Sequence, residues 1–82
     1  MQPAELDTLH ALLSAGRGDG PSLRAALPQL TVTRCDAGDV DQTPYRRYAG
    51  FDLHLVDGAG HCWQLTTDPA AATGIVLARQ RP

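Results

Sequence analysis

The chain has no lysine, no asparagine and a single isoleucine, and aromatic residues make up only 5% of it. Without lysine it can form no Schiff base and cannot supply the phosphate-gripping lysine of a P-loop. No apolar run approaches the roughly 20 residues that a membrane-spanning helix needs. The opening MQPAELDTLHALLSAG lacks the positive n-region and continuous apolar core of a secretory signal. A cytoplasmic protein with reduced thiols is therefore expected. Cys35 and Cys62 form no C-x-x-C, which excludes a thioredoxin-like dithiol. Positive charge is also scarce: the net charge is −2, and Arg46-Arg47 is the only adjacent basic pair. A sequence-independent nucleic-acid binder, which depends on neutralising phosphates, is not expected.

What remains is a chain of 82 residues, 43% hydrophobic and 20% charged, ordinary for a folded domain and too apolar for a disordered one. Its length fits one domain over residues 1–82, with a thin core that buries only about 60% of the unfolded surface. Residues 3–15 read as an amphipathic helix, with Leu6, Leu9, Leu12 and Leu13 at helical spacing, Pro3 in the first turn and Gly16 as the glycine just past its end. Arg17-Gly18-Asp19 spells an adhesion-receptor tripeptide, but a three-residue match is common by chance, and a linker is the simpler reading. Pro21 opens a short second helix carrying Leu23, Ala26 and Leu27, and Pro28 stops it. Leu30 to Cys35 alternates as a strand, with Leu30 and Val32 on one face and Thr31, Thr33 and Cys35 on the other. Asp36 to Pro44 is a polar loop whose three carboxylates lack calcium-loop spacing.

The segment FDLHLVDGAGHCWQLTT reads as two strands and a glycine-rich turn. A two- or four-residue loop pairs Leu55 with Cys62 and puts Phe51, Leu53 and Leu55 on one face with Gln64 and Thr66. A three-residue loop pairs Leu55 with Trp63 and Leu53 with Leu65, gathering the large apolar side chains on one side, with Gly60 in a left-handed bulge position. The second register is the expectation, with a tight hairpin at 57–61. Its core face is Phe51, Leu53, Leu55, Trp63 and Leu65, and Asp52, His54, Val56, Cys62, Gln64 and Thr66 lie opposite. In the tail, Asp68 as N-cap and Pro69 announce a helix, while Gly74 and the run Ile75 to Leu77 suit a strand. Only about seven residues separate Thr67 from Ile75, too few for a usual parallel crossover. A continuous C-terminal helix is expected, the alternative being a short helical turn and a fourth antiparallel strand. The fold class is thus α+β: an N-terminal helix, a short second helix, a three-stranded antiparallel sheet and a C-terminal helix.

Cys35, His54, His61 and Cys62 are the residue types that bind zinc or copper. His61 and Cys62 are adjacent, however, and neighbours on a strand point to opposite faces. The metal candidates reduce to Cys35, His54 and Cys62, and no cofactor is expected. A cysteine–histidine enzyme would need a base and an orienting third group in reach, and a chain this size has little material for a closed pocket, so no enzyme is expected. Gly58-Ala59-Gly60 is followed by a strand rather than a helix, so it is hairpin chemistry and no dinucleotide fingerprint. Tyr45-Arg46-Arg47-Tyr48 combines residue types favoured as interface anchors. Together with Asp52, His54, Cys62 and Gln64 on the uncovered sheet face, it forms the expected interaction surface, suited to a protein partner or self-association.

The pairs and triplets Cys35-Asp36, Phe51-Asp52-Leu53, Asp57-Gly58, His61-Cys62, Asp68-Pro69-Ala70 and Ala72-Thr73-Gly74 resemble a small uncharacterised domain family of proteobacteria associated with nitrogen-fixation gene neighbourhoods. The resemblance covers the C-terminal half well and the first helix only in general character. It implies no established activity, only an accessory role around a metalloenzyme system.

Overall fold

The computed structural model describes residues 1–58 and 63–80. Helix α1 spans Pro3–Ser14 and α2 Gly20–Ala26. The strands are β1 (Thr31–Asp36), β2 (Arg46–Tyr48), β3 (Phe51–Asp57), β4 (Gln64–Thr66) and β5 (Gly74–Arg79), with single 3-10 turns at Ala37–Asp39 and Pro69–Ala71.

The helices form where capping chemistry allows. The backbone N–H of Gln2 donates to Glu5 Oε1 at 2.8 Å, holding the start of α1. At its other end Gly16 takes φ +76°, and the N–H groups of Gly16 and Arg17 donate to the carbonyls of Leu13 and Leu12, a Schellman closure. Asp19 caps α2 by accepting from the Ser22 N–H at 3.0 Å, and Gly18 is buried. The adhesion-like tripeptide is thus spent on a helix start.

All five strands join one mixed sheet in the order β1-β5-β3-β2, with β4 also paired to β3. β5 runs antiparallel to β3 and parallel to β1, so the expected three-stranded antiparallel sheet is corrected to a five-stranded mixed one. The expected C-terminal helix is likewise corrected. Asp68 does cap a helical start, accepting from the Ala70 N–H at 3.0 Å, but the helix lasts one 3-10 turn. Gly74 and the β-branched Ile75 and Val76 then enter the sheet, where both faces bury them more fully than one helix face would. β4 and β5 run in the same direction on opposite edges of β3. Residues 67–73 carry the chain across β3 on the helix side, where Ala72 joins the core. The connection can be short because β4 pairs only with the last residues of β3 and β5 starts at the same end.

The core lies between the helices and one sheet face: Leu9, Leu13, Leu23, Leu27, Leu53, Leu55, Ala72, Ile75 and Leu77 form one buried cluster. Each large aliphatic side chain buried in this way contributes about 1.5–3 kcal/mol. Leu53 is paired with Leu77 and Leu55 with Ile75, so β5 supplies the apolar partners that were expected from Leu65 and Trp63. Freed of that demand, β4 takes another register: Leu55 faces Thr66, Val56 faces Leu65 and Asp57 faces Gln64. The connection therefore spans residues 58–63 rather than a tight hairpin at 57–61, and its residues 59–62 lie outside the described residues. Phe51, Leu53 and Leu55 share their face with Gln64 and Thr66, the arrangement of the discarded register, while Leu65 lies on the opposite face and Trp63 is exposed.

Candidate functional site

Residues paired in register share a sheet face. Thr33, Val76 and His54 are in line across β1, β5 and β3, as are Cys35, Ala78 and Asp52. The threonine face of β1 thus lies on the His54 side, the face turned away from the helices. Over β3 and β5 this face is closed: His54, Val56, Val76 and Ala78 are all buried. The loop after β1 lies against this face and Trp63 flanks it, since Val40 and Trp63 line one depression together with Leu65 of β4 and Val76 of β5. This corrects the reading of His54 as part of an open surface. Two apolar central strands need cover on both sides, and the chain supplies part of it.

His54 is 3% exposed and lines a small depression of about 300 Å³ with Tyr45, Thr43, Thr66 and Thr67. Burial holds its imidazole below the usual histidine range, and the Asp52 carboxylate opposes this more weakly. Asp52 is half-buried, its Oδ1 accepting from Gln80 Nε2 at 2.7 Å. Cys35 is a free, partly buried thiol, raised above its ordinary value first by burial and then by Asp39 and Asp36. That is the reverse of the depressed thiolate that a nucleophile or redox sensor requires. Cys35 and His54 share a face, yet β5 separates their strands by roughly 10 Å, and side chains that rise perpendicular to a sheet do not converge across such a gap. No group of three metal-ligating side chains occurs among the described residues. Cys62 and His61 lie outside them, so the metal candidate set of Cys35, His54 and Cys62 is placed only for its first two members.

The Tyr45-Arg46-Arg47-Tyr48 segment sits on the edge strand β2 and just before it. Tyr45 and Tyr48 pack partly against the core, while Arg46 and Arg47 are exposed. Tyr48 Oη lies 2.9 Å from Nδ1 of His10 on α1, and Arg46 Nη1 lies 3.4 Å from the same nitrogen. A guanidinium only donates, so in this arrangement Nδ1 is the acceptor, and its single lone pair is shared between the Tyr48 hydroxyl at the shorter distance and Arg46 at the longer one. The Arg46 guanidinium carbon stands 5.7 Å from the Tyr45 ring centroid, within cation–π range. Burial pushes the Tyr48 phenol up, against the pull of Arg46. Half of the expected anchor segment is thus engaged in joining α1 to the sheet edge.

The feature that residue spacing missed is Trp63. It is the exposed large hydrophobic residue among the described residues, at 55% exposure, and Gln64 beside it is also exposed. On one side of it lies a groove of about 560 Å³ lined by Thr33, Cys35, Val40, Leu65 and Val76, with Asp39 and Asp41. On the other lies a depression of about 230 Å³ over Thr31, Val56 and Gly74. Only the strand register could have revealed this, and the register depended on a strand expected to be a helix.

The sheet order and its one-sided helical cover define a small α+β domain with a partly closed second face. The chain belongs to a family of unknown function (DUF6129), which it matches over residues 10–80. No curated protein and no solved structure matches it.

Proposed function

We propose that this chain is a small non-enzymatic accessory or regulatory module that acts through protein contacts on the sheet face around Trp63. The observation that carries this reading is the half-exposed indole itself, set between two depressions on the face the helices leave free. Tryptophan is the residue type most enriched among interface hot spots, and such residues work by filling or flanking pockets. Burying an indole in water's place is favourable, so an exposed one on a thin domain is surface waiting for a neighbour. The raised Cys35 thiol supports a non-enzymatic reading over a redox one. The resemblance carried by the C-terminal half supports an accessory role around a nitrogen-fixing metalloenzyme system, and a cytoplasmic setting remains the expectation from the sequence. Among the described residues no helix is long and apolar enough to cross a membrane.

The test is affinity capture from cells that express the chain, comparing the parent with Trp63→Ala and with Arg46→Ala/Arg47→Ala. A partner held by the parent and lost with Trp63→Ala is the expected outcome. A partner lost only with the arginine variant would move the contact to the β2 edge and sink the assignment of this face.

A further inference from the structure

We propose that the groove beside Trp63 docks an extended segment of a partner protein that carries arginine or lysine; the inference rests on the protein-contact reading above and names the chemistry of the partner.

Three features of the groove converge on such a segment. Its lining joins the apolar side chains of Val40, Leu65 and Val76 to two carboxylates, Asp39 and Asp41, and includes no cationic side chain. Both aspartates are exposed, and neither has an ion-pair partner among the described residues, where Arg79 is instead directed to Asp36 at 4.0 Å. The field of Asp39 reaches into the groove, where it helps to raise the Cys35 thiol. Trp63 offers an indole face at the same groove, the best of the aromatic surfaces for holding a guanidinium or ammonium group. A cation lying on that ring with carboxylates in reach meets two favourable interactions, while its aliphatic stem covers the apolar part of the lining.

The sheet edge favours an extended main chain. β1 pairs only with β5, so its outer edge has no strand partner among the described residues. It carries no proline, and its one cation, Arg34, is directed to the Gly18 carbonyl. Thr33 and Cys35 of this same strand line the groove. A segment laid along β1 would send alternate side chains over the groove, the geometry of strand addition, in which main-chain pairing supplies affinity and side-chain pockets supply selectivity.

The test is selection of a phage-displayed random peptide library on the immobilised full chain, the parent alongside Trp63→Ala and Asp39→Asn/Asp41→Asn, each checked for parent-like circular dichroism. The expected result is enrichment of sequences with arginine or lysine next to aliphatic residues. Their binding should weaken as salt is added, fall about tenfold in the double aspartate variant as two partly exposed charge pairs are lost, and be lost with Trp63→Ala. Enriched peptides without cations, equal recovery on the aspartate variant, or no enrichment would each overturn the proposal. So would self-association in the ultracentrifuge that the aspartate variant abolishes, since the occupant would then be a second copy. A captured protein that needs Trp63 but binds the aspartate variant normally would overturn this inference alone and leave the protein-contact reading standing.

Discussion

Gly74 is the residue at which the fold can be tested most directly. It opens β5, paired with Thr31 on one side and Val56 on the other. A Cβ built on it would stand 2.8 Å from the Thr31 carbonyl oxygen and 3.0 Å from the Thr31 Cβ. The near oxygen is backbone and belongs to a paired strand, so it cannot swing aside as a flexible side chain would. Overpacking of this kind costs about 1–3 kcal/mol. Stiffening the unfolded chain by replacing glycine with alanine returns about 0.4–1 kcal/mol. Taken at mid-range, Gly74→Ala should therefore destabilise by about 1.3 kcal/mol, or roughly 5–10 °C in Tm for a domain of this size. If residues 69–79 were instead a continuous helix, the same substitution would stabilise by about 1 kcal/mol. The sign alone separates the two architectures. Thermal and urea unfolding followed by far-UV circular dichroism is the assay, with Gly38→Ala as control because a Cβ there meets nothing within 4 Å. Stability equal to or above that of the parent for Gly74→Ala would refute the placement of β5 beside β1.

Three further outcomes are expected. Gly50 turns the chain between β2 and β3 at φ +87°, so Gly50→Ala should cost about 1–2 kcal/mol in the same unfolding assay. Burial depresses the His54 imidazole below its ordinary value of 6.5, so the unfolded chain takes up the proton more readily than the folded one. The stability linked to this group is fully present above about pH 6.5 and is lost as pH falls through the folded value. His54→Leu should flatten that part of the stability profile, read as the difference between parent and variant, and an unchanged slope would remove His54 as its source. In a Cys62→Ser background the remaining Cys35 thiol should react with an aromatic disulfide more slowly than free cysteine at pH 8, and Asp39→Asn should speed it up; parent-like or faster reaction without the substitution would contradict the raised thiol.

Both helices and β1 were legible because local rules decide them: leucine spacing in α1, Gly16 past its end, Pro21 and Pro28 around α2, and alternation in Thr31–Cys35. The side of the threonine face was legible only conditionally, since it depends on which strand lies beside β1. The tail was misread for a reason particular to Asp68-Pro69. Those residues do start a helix, and local propensity carries no information on where it stops. The correct signal was the uninterrupted burial-competent run Ile75-Val76-Leu77-Ala78, which has the pattern of a strand covered on both faces. A helical tail leaves Leu53 and Leu55 without strand neighbours from residues 75–77, so the register that gathers Leu65 and Trp63 beside them is the expected one, and it puts the indole in the core. Asp39 and Asp41 lie exposed in the polar segment expected after β1, but their proximity to Trp63 is tertiary and no spacing encodes it.

The position of β5 also sets an order of events. Thr31 finds its neighbour in Gly74 and Asp36 in Arg79, contacts that span half the chain and close large loops before any pairing rewards them. On a ribosome, β1 has no strand beside it until residues 74–79 have emerged, and β3 holds only its short partners β2 and β4. Until then the apolar faces of Leu53, Leu55 and Val32 have no β5 beside them, a window in which the nascent chain is exposed to aggregation and to chaperones. A chain shortened to residue 73 loses one strand in sequence but the seam of the whole sheet in space.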